Sequence, residues 1–286
     1  MVTPFNADGS VSYDVARDVA RFLVANGSDA IVVAGSTGEG GSLSDEEKLN
    51  LFSSVAQAVS VPVLAGSTSS DTARSVSLTA AASATGVQGI LASTPAYSRP
   101  SQNGIAAHIG AVAEATKLPV MVYDIPSRTG RKIASATTIG LARQHSNVVA
   151  LKDASGDLPN AAHVKATLGI GFDLYSGDDA LVLPFLSIGA VGVVSVASHW
   201  AGPEFAAMIQ AYLAGNRTRA MELNERLADS CTFEGTETYP NPLPSKAAMA
   251  VLGLAVGSCR LPLGPGDDVL MQQAATIVNS LLGQRD

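Results

Sequence analysis

This chain of 286 residues is short of cysteine, of positive charge and of metal-ligand patterns. Only two cysteines occur, Cys231 and Cys259. That excludes a disulfide framework and suits a reducing compartment. The four histidines, His108, His145, His163 and His199, form no ligand spacing with the acids, and neither H-E-x-x-H nor C-x-x-C is found. A metal-dependent aldolase would need such a cluster, so no metal ligand is assigned. There are 18 Lys and Arg against 25 Asp and Glu, a net charge of −7. A phosphate footprint needs a basic surface, so no nucleic-acid partner is expected. One long stretch, Ala180 to Ser198, carries no charge, but Pro184, Gly189 and Gly192 interrupt it. It reads as a short helix, a turn and a buried strand rather than a membrane span. No basic segment precedes an apolar one at the N-terminus, so no signal peptide is expected and the expected location is cytoplasmic.

What is abundant is apolar material, 47% of residues against 15% charged. That suffices for one large α/β barrel or two ordinary domains. Short apolar runs recur at 30–34, 61–65, 89–92, 119–123, 148–152, 172–176 and 192–196. Runs that are continuous rather than alternating predict strands buried on both faces. Helical patterns lie between them. In 13–25, Val15, Val19, Phe22 and Leu23 share a face, and Asn26-Gly27 stops the helix. Ser44-Asp45-Glu46-Glu47 predicts a capping box opening a helix to about Val59. Residues 101–115, 135–144 and 159–168 fit similarly, and each gap is long enough for a parallel crossover. With Met1–Pro4 as a clipped first strand the count is eight. The expected fold is therefore an α/β (β/α)₈ TIM barrel over 1–216, its strand 1 truncated. Residues 217–286 are expected to form a helical extension packed beside it, with helices near 221–230, 245–254 and 267–282.

In such a barrel catalytic groups stand at the C-terminal ends of strands. Those ends carry Thr3, Ser36-Thr37, Ser67, Thr94, Tyr123, Lys152, Ser176 and Ser195. Of six lysines, only Lys152 ends an apolar strand. A free lysine, with a pKa of about 10.4, is a poor nucleophile at neutral pH, and a desolvated site frees its amine to attack a carbonyl. An ion pair with Asp153 at the barrel mouth fits the position equally. Tyr123 ends the preceding strand, where its phenol can shuttle protons or plug the barrel with a satisfied hydroxyl. Gly35-Ser36-Thr37-Gly38-Glu39 offers small residues and hydroxyl donors to an anion, or simply a tight turn. Arg128, in the loop after Tyr123, suits bidentate capture of a carboxylate, though most loop arginines are merely solvated.

Val2-Thr3-Pro4-Phe5, Gly35–Glu39, Thr94–Pro100, Tyr123–Gly130, Leu151–Ala154, Ser176–Asp179, Gly192–Val196, Pro240-Asn241-Pro242 and Arg260-Leu261-Pro262 occur in this order. Together they resemble the dihydrodipicolinate synthase / N-acetylneuraminate lyase family of class I aldolases, nearly end to end. The resemblance implies that Lys152 binds pyruvate as an imine and that no separate cofactor is needed. It implies a proton relay of Tyr123, Ser36 and Tyr97, the last donated by a neighbouring subunit. Thr37 would hold the pyruvate carboxylate with Ser36, and Arg128 that of aspartate 4-semialdehyde; Gly177 and Val194 would line the substrate site. The implied reaction yields 4-hydroxy-tetrahydrodipicolinate, on the path to diaminopimelate and lysine. The implied assembly is a homo-oligomer, a dimer at least and a tetramer by the family pattern, with no membrane partner. Two alternatives stand beside it: another pyruvate-dependent aldolase acting on a sugar acid or hydroxy-oxo acid, and a non-catalytic relative that binds a keto acid. Departures from the family pattern are Ser36 for Thr, Asp124 for Asn, Ala96 for Tyr, and Arg74 for an acid near the lysine-inhibition site. The last two imply weak or absent feedback by lysine.

Overall fold

The computed structural model describes residues 1–283. The chain divides into two compact units, Met1–Pro62 with the chain from Val196 onward, and Val63–Ser195. The first unit opens with α1 (Tyr13–Ala25), β1 (Ile31–Val33) and α2 (Asp45–Ala56). Helix α1 buries Ala16, Val19, Ala20 and Leu23, one stripe at helical spacing. Ser44 caps α2 by accepting from Glu47 N–H, while the Glu47 carboxylate accepts from Ser44 N–H. This is the expected capping box. The helix ends three residues earlier than the sequence pattern implied.

The second unit alternates strands and helices. It runs β2 (Val63–Gly66), α3 (Thr72–Ala82), β3 (Gly89–Ser93), α4 (Gln102–Glu114), β4 (Val120–Asp124), α5 (Pro126–Thr129) and α6 (Ser135–Gln144). It continues through β5 (Val148–Asp153), α7 (Leu158–Leu168), β6 (Asp173–Ser176), α8 (Val182–Ser187) and β7 (Gly192–Val193). Strands β2 to β7 pair in parallel and in chain order. All five residues of β4 are buried, as befits a parallel strand covered on both faces. The register sets Tyr123 of β4 opposite Lys152 of β5, and Asp124 opposite Asp153. Side chains alternate across a strand, so the first pair projects to one side of the sheet and the acidic pair to the other. This is an α/β fold built on parallel strands.

The chain then returns to the first unit through α9 (Ser198–Leu213), α10 (Arg217–Phe233), α11 (Leu243–Val251) and α12 (Asp268–Leu282). Trp200 of α9 meets Phe233 of α10 edge to face at 5.7 Å, and its indole N–H donates to Ser230 at 3.0 Å. The expected helical tail of 217–286 has its last three positions outside the described residues. Among the described residues no helix is long and apolar enough to cross a membrane.

Two strand expectations need correction. Residues 1–4 form no strand; instead Phe5 makes a single antiparallel bridge with Val11. Met1 N donates to Val32 O at 2.5 Å, but the next N–H, of Val2, is taken by His199 Nε2 at 3.0 Å. A side chain thus intercepts the donor that a ladder would need. The strand expected over 192–196 stops at Val193. Val194 N–H still donates to Ser176 O at 2.9 Å, after which the chain turns into α9.

Candidate active site

Lys152 and Tyr123 meet because adjacent parallel strands carry them in register. Lys152 is 8% exposed and Tyr123 5%. The Lys152 ammonium sits 4.2 Å from the centroid of the Tyr123 ring, a cation–π distance. The rival ion pair with Asp153 is not made. The Asp153 carboxylate accepts instead from the N–H and hydroxyl of Ser155, both at 2.7 Å. Consecutive strand residues face opposite ways, so the lysine and its neighbouring acid are kept apart. Lys246 is buried too, at 4% exposure, but it pairs with Glu39 at 2.8 Å and donates to Ser258 O at 2.9 Å. Lys152 has no such acid among the described residues, and its amine is held against an aromatic face.

Gly177 closes in on the same lysine. A Cβ there would lie 3.0 Å from Lys152 Cε and 2.8 Å from Ala154 Cβ. Its N–H donates to Asp153 O at 2.7 Å, which carries the β5–β6 ladder one step beyond Ser176. Lys152, Tyr123 and Gly177 are therefore close neighbours in the structure. Val194 contributes its backbone next to Ser176.

Ser36 and Thr37 belong to the other unit, in a loop with two non-glycine residues at positive φ, Ala34 (54°) and Glu39 (52°). Glycines accompany them for a steric reason. A Cβ on Gly40 would fall 2.1 Å from Ala34 O, and one on Gly38 would fall 2.9 Å from Met1 O. The Ser36 and Gly35 carbonyls accept from Glu39 and Gly40 N–H, both at 3.0 Å. The Ser36 and Thr37 N–H groups find no backbone acceptor among the described residues, leaving two adjacent donors for an anion. The chain tail holds this loop. Asn241 Nδ2 donates to Thr37 Oγ1 at 2.8 Å, Lys246 pairs with Glu39, and Arg260 N–H donates to Glu39 Oε2 at 2.8 Å. Both cations also stack on Phe5, Lys246 Nζ at 4.2 Å and the Arg260 guanidinium carbon at 4.4 Å from its ring centroid. Burial pushes the Lys246 ammonium below its ordinary pKa, with Glu39 opposing. Burial pushes the Cys259 thiol up to about 12. In the sequence Asn241 stands out only within its proline motif, and Lys246 and Glu39 carry no assigned role. The Asn-Pro-x-Pro-x-Lys spacing was the available signal.

Tyr97 and Arg128 stand apart from Lys152 in exposure. Tyr97 is 98% exposed, with φ at 69°. Arg128 is exposed on the four-residue helix α5. On the opposite side of the sheet from Lys152, Asp124 and Asp153 are 1% and 0% exposed, and each keeps a buried Oδ2 without a hydrogen-bond partner among the described residues. Burial raises Asp124 to about 7, with the neighbouring Asp153 adding to it and the Ile133 N–H hydrogen bond opposing. Burial raises Asp153 as well, against its Ser155 hydrogen bonds.

Beside this buried lysine at a parallel strand end, the sequence profile of the dihydrodipicolinate synthetase family matches residues 1–281. The chain belongs to this family. It is 44% identical over 283 residues to 4-hydroxy-tetrahydrodipicolinate synthase of Desulforamulus reducens, covering 98% of this chain and 95% of the relative. The crystal structure of DHDPS from Cyanidioschyzon merolae with lysine bound superposes with a TM-score of 0.95 at 42% identity, over 98% of this chain and 96% of that one. The chloride-inhibited dihydrodipicolinate synthase from Acinetobacter baumannii, complexed with pyruvate, gives 0.92 at 30% identity, over 98% and 96%. Within the dihydrodipicolinate synthetase family, this chain has the lysine-ended strand on a parallel sheet and the Ser-Thr loop held by its own tail.

Proposed function

We propose that this chain is a lyase that condenses pyruvate with L-aspartate 4-semialdehyde to 4-hydroxy-tetrahydrodipicolinate, feeding diaminopimelate and lysine biosynthesis. The observation that carries the reading is the buried Lys152 ammonium, 4.2 Å over the Tyr123 ring and without an acid partner among the described residues. The amine, as its neutral form, attacks the ketone carbon of pyruvate, and water leaves to give an imine. Loss of a methyl proton makes an enamine, whose carbon bonds to the aldehyde carbon of the semialdehyde. The semialdehyde amine then closes on the imine carbon and expels Lys152. The enzyme is regenerated, and the imine itself supplies the electron sink without a separate cofactor.

Proton transfers fall to Tyr123, with Ser36 and a Tyr97 donated by a neighbouring subunit. The near-complete exposure of Tyr97 supports a role outside its own chain. The open N–H groups of Ser36 and Thr37 suit the pyruvate carboxylate, and Arg128 that of the semialdehyde. Gly177 and Val194 line the substrate site, Gly177 by leaving room beside Lys152. The same reading takes the fold as a closed (β/α)₈ barrel over 1–216 with a helical region over 217–286, assembled as a homotetramer in the cytoplasm. The similarity at TM-score 0.95 supports the barrel.

Incubation with pyruvate and borohydride should add one pyruvate-derived mass on Lys152, absent from Lys152→Ala. A coupled assay with both substrates should give turnover that the same substitution abolishes. Arg128→Ala should raise KM for the semialdehyde. An unchanged KM would favour a lyase of a different second substrate, and no covalent mass would mean a non-catalytic keto-acid binder.

A further inference from the structure

Within the Val63–Ser195 unit lies a cleft of about 400 Å³ lined by Arg99, Gln102, Gly130, Arg131, Lys132 and Ala134. Neither Lys152 nor Tyr123 lines it. Three of its six residues are cations, in a chain whose net charge is −7. The wall is built so that donors are left over. Arg99 Nε donates to Gly130 O at 2.9 Å, and Arg131 NH2 donates to Arg99 O at 3.2 Å. These bonds brace one loop against the other, yet each uses a single donor of a five-donor guanidinium. Gly130, at φ 73°, lets Arg99 lie across it: a Cβ there would be 3.2 Å from Arg99 Cγ. Arg131 Nε is buried and has no hydrogen-bond partner among the described residues. A buried charged donor without an acceptor is costly and points to a missing partner.

Acceptors on the wall are already committed. Gln102 Oε1 accepts from Ala134 N–H at 2.9 Å and from the Thr137 hydroxyl at 2.7 Å, and Gln102 Nε2 donates to Lys132 O at 2.8 Å. Among the described residues, the one acid paired with these cations is Asp157, bonded to Lys132. Asp124 and Asp153 also feel the Lys132 charge, and burial raises the pKa of both. The cleft therefore presents forked and point-charge donors with an excess of positive charge, the pattern that binds oxyanions bidentately.

We infer that this cleft binds a small dianion, a phosphate group or a dicarboxylate, between Arg99, Arg131 and Lys132. The test is calorimetric titration of the full chain with inorganic phosphate at constant ionic strength held by chloride. One saturable site per chain is expected. The double substitution Arg131→Gln and Lys132→Gln should weaken it roughly tenfold or more, the worth of one charge-assisted hydrogen bond. Arg99→Gln, made separately, should weaken it similarly, with circular dichroism verifying that each variant is folded. Competition by succinate would identify a dicarboxylate site, and its failure to compete a site for tetrahedral oxyanions. The inference is overturned if no saturable binding occurs, or if folded variants bind phosphate as the parent does. The latter result would put the anion at the Ser36-Thr37 loop instead.

Discussion

Replacing Asp124 with asparagine should stabilise the protein in alkaline solution and not in acid. Asp124 ends β4, is 1% exposed, and stands in register with the wholly buried Asp153. Its Oδ1 accepts from Ile133 N–H at 3.1 Å, while its Oδ2 has no partner among the described residues. Burial and the second carboxylate lift it from 3.8 to about 7. An acid raised on folding holds its proton more tightly in the folded chain. Its stabilising contribution is complete below 3.8 and is lost as pH rises through about 7. At about 1.4 kcal/mol per pH unit, that gap corresponds to about 4 kcal/mol of destabilisation once Asp124 is forced to ionise. The amide of Asp124→Asn carries no charge to lose. It keeps an acceptor for Ile133 and gains an N–H that the Asp153 carboxylate can take. Urea unfolding of parent and variant at about pH 5 and about pH 9 measures the effect. The variant's advantage should grow by roughly 2–4 kcal/mol between the two, most of the full swing. Parallel stabilities at both pH values would refute the reasoning, since a charge penalty must vanish when the charge does.

Other substitutions probe the site directly. Gly177→Ala places a methyl 3.0 Å from Lys152 Cε and should cut the pyruvate mass trapped by borohydride in a fixed time by roughly tenfold or more; equal trapping would mean that Lys152 moves freely. Lys246→Met strands the buried Glu39 carboxylate and should cost about 3–5 kcal/mol in chemical denaturation, with Glu39→Gln in the same chain restoring part of it. Tyr97→Phe should lower turnover while leaving the melting temperature of the chain unchanged, because its ring is 98% exposed within the subunit. With Ala96 and Arg74 in place of the family's Tyr and acid, millimolar lysine should inhibit turnover weakly, and strong inhibition in the coupled assay would contradict that reading.

Much of the parallel sheet was legible because its apolar runs are continuous. Gly89–Ser93, Val120–Asp124 and Val148–Asp153 lie within a residue or so of where the pattern put them. Helix α3 was not delimited, since Thr72–Ala82 is rich in Ser, Thr and Ala and carries little apolar contrast; its Asp71 cap was the local clue. Helix α9 was not delimited either, because Gly202 and Pro203 interrupt its pattern and a kink at Ala201 lets the helix proceed regardless. Lys152 could be singled out from sequence because it is the one lysine that ends an apolar run, and a strand's period and terminus are local properties. Which acid a lysine meets is not local. Lys246 is joined to Glu39, and Asn241 to Thr37 across 204 positions, only because folding brings the tail onto the loop. Nor could sequence decide that Asp153 would turn from Lys152 to Ser155, or that Asp124 would be raised to about 7. Periodicity along the chain determines which residues are buried and where strands end. Partners, desolvation and charge state depend on what tertiary packing places within a few ångströms.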